Sequence, residues 1–127
     1  MKTQYVPAQD YVFHLTDDTH AQFVKRTKKT NALVFIYIPP NQNCQFIAQS
    51  FFSVASLFRN EKSIVFAKVN CFETPGLCGF LNAPNVPAFR YVPYNETLRK
   101  ITQPRFTEGE DMVDYLNDYL GGEEKRE

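Results

Sequence analysis

The side chains of this chain best suited to chemistry are three cysteines, two histidines and the acidic pair Asp17-Asp18. Cys44 follows Pro39-Pro40-Asn41-Gln42-Asn43 and sits at the start of a predicted helix. Unpaired backbone N–H groups at a helix start stabilise a thiolate, so an exposed Cys44 could form mixed disulfides as a monothiol. Cys71 and Cys78 have nothing beside them that marks a low-pKa thiol, and their residue types alone leave their pairing open. His14 and His20 lie six positions apart, without cysteines at zinc spacing, so no metal site is expected. Asp17-Asp18 reads as charge at a helix start, not as an acid pair for catalysis. There is no glycine-rich phosphate loop, and no cofactor is expected. Asn95-Glu96-Thr97 is a glycosylation sequon in a predicted exposed turn.

These residues have to be positioned by regular elements, and the hydrophobic pattern supplies them. Residues 11–14 read as a short strand, followed by a helix capped by Thr16 or Asp17 and running to about Lys28. Ala32 to Ile38 is an unbroken run of apolar β-formers, suited to a central strand buried on both faces, and Pro39-Pro40 ends it. A helix over about 43–58 carries Phe46, Ile47, Phe51, Val54, Ala55 and Phe58 as one wide apolar face. Residues 63–69 form a strand, and Pro75 opens a short helix within 74–81. Residues 88–92 and 97–101 form a hairpin around Asn95-Glu96. Thr107-Glu108-Gly109-Glu110 is a capping box for a last helix. Its stripe is Met112, Val113, Leu116, Tyr119 and Leu120, and Gly121-Gly122 is expected to stop it. The order is β-α-β-α-β-α-β-β-α, an α/β domain with a mixed central sheet and helices on both faces.

At 127 residues, 43% of them apolar, the chain is expected to be one domain over 1–127 with its core within about 11–120. The 14 basic and 14 acidic residues cancel, which leaves no electrostatic case for nucleic acid or an anionic membrane. The basic run Lys25-Arg26-Thr27-Lys28-Lys29 reads as a solvated helix end. No apolar run approaches the ~18 residues of a membrane span, so no membrane insertion of this segment is expected. Neither an N-terminal signal peptide nor a C-terminal retention signal is visible. The expectation is therefore a cytosolic protein or a piece of a larger secretory-pathway protein.

The element order, Leu33-Val34-Phe35-Ile36-Tyr37-Ile38, Phe66-Ala67-Lys68-Val69-Asn70 and the loop Asn85-Val86-Pro87-Ala88-Phe89 together resemble the thioredoxin fold, over about 11–120. Asn70-Cys71, six residues and Cys78 are similar to the non-catalytic disulfide of some protein disulfide isomerase domains. The resemblance implies that Pro87 is the cis-proline opposite the active site. It also implies that Cys71 and Cys78 are bridged, hence an oxidising compartment such as the endoplasmic reticulum lumen, with the cytoplasm as the alternative. The family's Cys-x-x-Cys site maps to Asn41-Gln42-Asn43-Cys44. The nucleophile position is thus an amide, Cys44 is the more covered resolving position, and Phe35 replaces the family's buried proton-accepting acid. Pro40 stands where the family has Trp. Dithiol oxidation or reduction by this domain alone is not expected.

Three roles remain. The first is a redox-inactive, chaperone-type module that binds a protein or peptide client as an added strand beside Val86 and Pro87, with Pro39, Pro40, Asn41, Gln42 and Phe80 on the rim. The second is a monothiol that retains clients or exchanges disulfides through Cys44. The third is a structural unit that contacts other domains of a larger chain or a membrane complex, for which Tyr115 would be a contact if it lay off the core stripe.

Overall fold

The computed structural model describes residues 11–80, 85–94 and 103–125. Four strands and four helices alternate through them. They are β1 (Val12–His14), α1 (His20–Arg26), β2 (Asn31–Tyr37), α2 (Gln42–Leu57), β3 (Ile64–Asn70), α3 (Pro75–Phe80), β4 (Ala88–Val92) and α4 (Gly109–Lys125). The sheet order is β1-β3-β2-β4. β1 and β2 each pair with β3 in parallel, and β4 runs antiparallel to β2, so the sheet is mixed. The sheet and its helices have the thioredoxin fold.

β2 lies between β3 and β4, and its first six residues are buried. The continuous apolar run has this cause: alternate side chains of an inner strand must fill two cores. Leu33 and Phe35 enter a core with Ile47, Phe51, Val54, Met112 and Leu116. Ala32, Val34 and Ile36 enter the other, with Phe23, Leu77 and Cys78. The first core is aromatic. Phe51 is fully covered and meets the rings of Phe35, Phe66 and Phe89 at centroid distances of 5.0, 5.8 and 6.0 Å. Each fully buried Phe contributes about 1.5–3 kcal/mol in transfer free energy, and ring pairs at these separations add to it.

Several expected details differ. α1 begins at His20 because Thr16 and Thr19 close a turn first. The Thr19 hydroxyl donates to the His14 carbonyl at 2.9 Å and accepts the Thr16 N–H at 2.8 Å. Phe46 is not part of the α2 core face: it is 74% exposed, because the face turned toward the sheet carries Cys44, Ile47, Phe51, Val54 and Ala55. The partner of Thr107 is Asp111, not Glu110. The Thr107 N–H and hydroxyl both donate to Asp111 Oδ2, at 3.1 and 2.8 Å, since α4 starts at Gly109, two residues after Thr107. Tyr115 belongs to the core, packed edge-on against Tyr91 and Phe106. α4 continues through Gly121-Gly122, and no described glycine takes the positive φ that a helix-ending glycine uses. The expected return strand 97–101 and Asn95 lie outside the described residues, as does the Phe80 side chain.

Candidate functional site

The end of the sheet where β2 and β3 finish gathers most of the singled-out residues. Tyr37 and Asn70 pair at the last register position of these two strands. The Cys71 N–H then donates to the Tyr37 carbonyl at 2.9 Å, which holds the start of the next loop against the end of β2. On the other flank, Ala88 pairs with Ile36, so the residues before Ala88 also meet this end of β2. The Val86–Pro87 peptide bond there is cis. Val86 packs against the core that contains Cys78, with Cys71 at its edge.

Beyond β2 the chain turns through Pro39-Pro40, where the Asn41 N–H donates to the Ile38 carbonyl at 3.2 Å. Asn41 takes an extended conformation, φ −74° and ψ 122°, and is the N-cap of α2. Its Oδ1 accepts the Cys44 N–H at 2.8 Å. Gln45 Nε2 donates to the Pro39 carbonyl at 2.8 Å and ties the first turn back to the proline pair. Gln42 and Asn43 are exposed on the first turn of α2. Asn41 therefore does what Asn does well at a helix start, which is to satisfy a backbone donor that the helix itself cannot.

Cys44 is a free thiol and is 1% exposed. Burial pushes its pKa up, and a backbone hydrogen bond at Ile38 offsets part of this. The helix start that would activate an exposed thiol thus acts on a sulfur that solvent scarcely reaches.

A small cavity of about 280 Å³ adjoins it, lined by Phe35, Tyr37, Cys44, Ala48, Phe52 and Lys68 among others. Phe35 is 1% exposed and sits 5.2 Å from both the Tyr37 and Phe89 rings. It pairs in register with Lys68, whose Nζ lies 5.6 Å from the Phe52 ring centroid. Burial draws the Lys68 pKa down, partly countered by Glu73. Burial raises the Tyr37 pKa, with smaller contributions from Glu73 and Cys44. Tyr37 and Lys68 were read from sequence only as strand residues. The signal that could have found them is a lysine inside the otherwise apolar run 64–69.

Cys71 and Cys78 are joined in a disulfide that closes the loop into α3. His14 Nε2 lies 3.0 Å from Glu73 Oε1, a contact between β1 and this loop. Phe72, beside Cys71, is 65% exposed. Among the described residues no group of three or more His, Cys, Asp or Glu is arranged to hold a metal ion. No described helix is long and apolar enough to cross a membrane.

Comparison with known proteins covers nearly the same span. Residues 11–118 match the thioredoxin family model. Protein disulfide isomerase-like 2-1 of Oryza sativa subsp. japonica is 26% identical over 114 residues, which are 90% of this chain and 29% of that protein. The chain thus spans less than a third of that curated relative. The Trx4 domain of ERdj5 superposes with a TM-score of 0.72 at 22% identity, over 87% of this chain and 96% of that one. Chloroplastic thioredoxin z gives a TM-score of 0.71 at 14% identity, over 87% and 95% of the two chains. At these identities the two superpositions speak for the fold alone.

Proposed function

The chain belongs to the thioredoxin family, and from that premise we propose that it is a redox-inactive domain of the protein disulfide isomerase type that binds extended polypeptide beside the cis-proline loop. The observation that carries this reading is the hydrogen bond from the Cys44 N–H to Asn41 Oδ1 at 2.8 Å. An amide stands where the resemblance puts an attacking thiol, and it has a structural task there. Cys44 behind it is covered and its pKa is raised, both unfavourable for a thiolate nucleophile. Phe35 offers no proton acceptor at the position of the family's acid.

What stays usable is backbone. An extended segment beside Val86 would add main-chain hydrogen bonds to the sheet end, and Pro40, Asn41 and the exposed Phe46 and Phe72 would meet its side chains. The Cys71–Cys78 disulfide and the isomerase-like relatives favour an oxidising compartment, the secretory pathway and within it the endoplasmic reticulum lumen. Such a domain could serve alone or beside catalytic domains of a longer chain.

The test uses the whole chain and a permanently unfolded, carboxymethylated protein. Binding that Val86→Asp reduces about tenfold or more supports the reading. The same chain should reduce a disulfide substrate no faster than the dithiol buffer does. Activity that Cys44→Ser abolishes would replace this reading with a monothiol oxidoreductase.

A further inference from the structure

A second surface lies where α2 and α4 pack together. Between them runs a groove of about 780 Å³. Its α2 wall is a stripe at every fourth position, Gln49, Ser53 and Leu57; its α4 wall includes Glu110, Val113 and Asp114. A second hollow, of about 410 Å³, continues it past Leu57 and Val113 toward Glu61 and Asn117. Leu57 lines both and is 66% exposed, a large apolar side chain left mostly uncovered.

Every charged residue lining either hollow is acidic. The acids are also ordered. Glu110, Asp114 and Asp118 follow at every fourth position and so share one stripe of α4. Among the described residues none of the three has an ion-pair or hydrogen-bond partner. The helix N-terminus favours Glu110, but its influence fades after the first turn and does nothing for Asp114 and Asp118. Like charges four apart repel and weaken a helix. The stripe therefore presents three acids that no described cation neutralises and that a cationic surface would.

We propose that this groove docks a basic amphipathic helix of a partner protein. Its apolar row would cover Leu57 and Val113, and its Lys or Arg residues would face Glu110 and Asp114 in the groove and Asp118 one turn beyond it. The acidic stripe spans about 12 Å of helix, so a partner helix of roughly three turns matches it. Helix-in-groove docking of this kind needs an apolar anchor row with complementary charge on its flank. The groove is separate from the cis-proline loop, and its occupant does not depend on redox chemistry.

The whole chain is titrated with a labelled helical peptide that carries leucines at i, i+3, i+4 and i+7 and lysines elsewhere. One control replaces lysine by glutamate; a second scatters the leucines. The expected result is binding of the first peptide about tenfold or more tighter than either control, weakening as salt is raised. Leu57→Asp and Asp114→Lys should each cost about tenfold or more in that affinity. Both positions are exposed, and an unchanged melting temperature reports that the variants fold. Backbone amide shifts should move at Ser53, Leu57 and Val113 and not at Val86. Equal affinity for the lysine and glutamate peptides, or no loss in either variant, overturns the proposal. Concentration-dependent self-association that Leu57→Asp removes would overturn it in favour of a second copy of this chain.

Discussion

Asn41 Oδ1 accepts the Cys44 N–H at 2.8 Å, so Asn41 is the N-cap of the helix that carries the free thiol. Removing the cap leaves a backbone donor unsatisfied. Asn41→Ala is expected to lower stability by about 0.5–2 kcal/mol, and Asn41→Ser or Asn41→Asp to retain most of it. Urea unfolding of the three variants measures this. An alanine variant as stable as the parent would mean that the cap contributes nothing.

Cys44 is covered and its thiol pKa is raised, chiefly by burial. Alkylation of unreduced native protein should therefore add no label at neutral pH, and alkylation after denaturation should add one. A native reaction forced by alkaline pH should reach its midpoint above the ordinary cysteine value of about 8.5. Intact mass against pH reads both. A native label at pH 7 would favour the monothiol alternative.

The Cys71–Cys78 disulfide closes a short loop between β3 and α3. In the chain-entropy account, its reduction should cost roughly 2–3 kcal/mol. The midpoint of urea unfolding with and without reductant checks this. The Cys71→Ser/Cys78→Ser double variant should match the reduced protein.

Phe35 and Phe46 are both aromatic residues near Cys44, yet they should answer mutation oppositely. Phe35 is 1% exposed among three rings, and Phe35→Ala is expected to cost about 3–5 kcal/mol. Phe46 faces solvent, and Phe46→Ala should change stability by no more than about 0.5 kcal/mol while weakening client binding. Parallel unfolding and binding curves separate the two effects.

Asp111 accepts the Thr107 N–H and hydroxyl, and these bonds hold its pKa below the usual carboxylate range. A depressed folded pKa contributes stability above the unfolded value, near 3.9, and that contribution is lost as pH falls through the folded pKa. Asp111→Asn should thus narrow the stability difference between neutral and acidic pH. An unchanged acid limb would show that the bonds do not matter to the fold.

The thioredoxin arrangement was legible because local pattern decides it. An unbroken apolar run at 32–38, ended by Pro39-Pro40, suits an inner strand, and the apolar stripe in 43–58 marks a helix with one face to bury. The boundaries were less legible. The start of α1 depends on Thr16 and Thr19 bonding to each other, and the cap of α4 on Asp111 outreaching Glu110. Both are choices between nearby hydrogen-bond partners that composition does not rank.

Tertiary structure alone decided which aromatic residues are covered. Phe46 and Phe51 share a helix and a chemistry, but only Phe51 points at the sheet. It alone decided, too, that Lys68 borders the cavity beside Cys44, and that Leu57 stands bare between two helices. Those facts come from residues far apart in sequence meeting across β2, β3, α2 and α4. Periodicity along one element records that a face is apolar; what that face meets is set by the other elements.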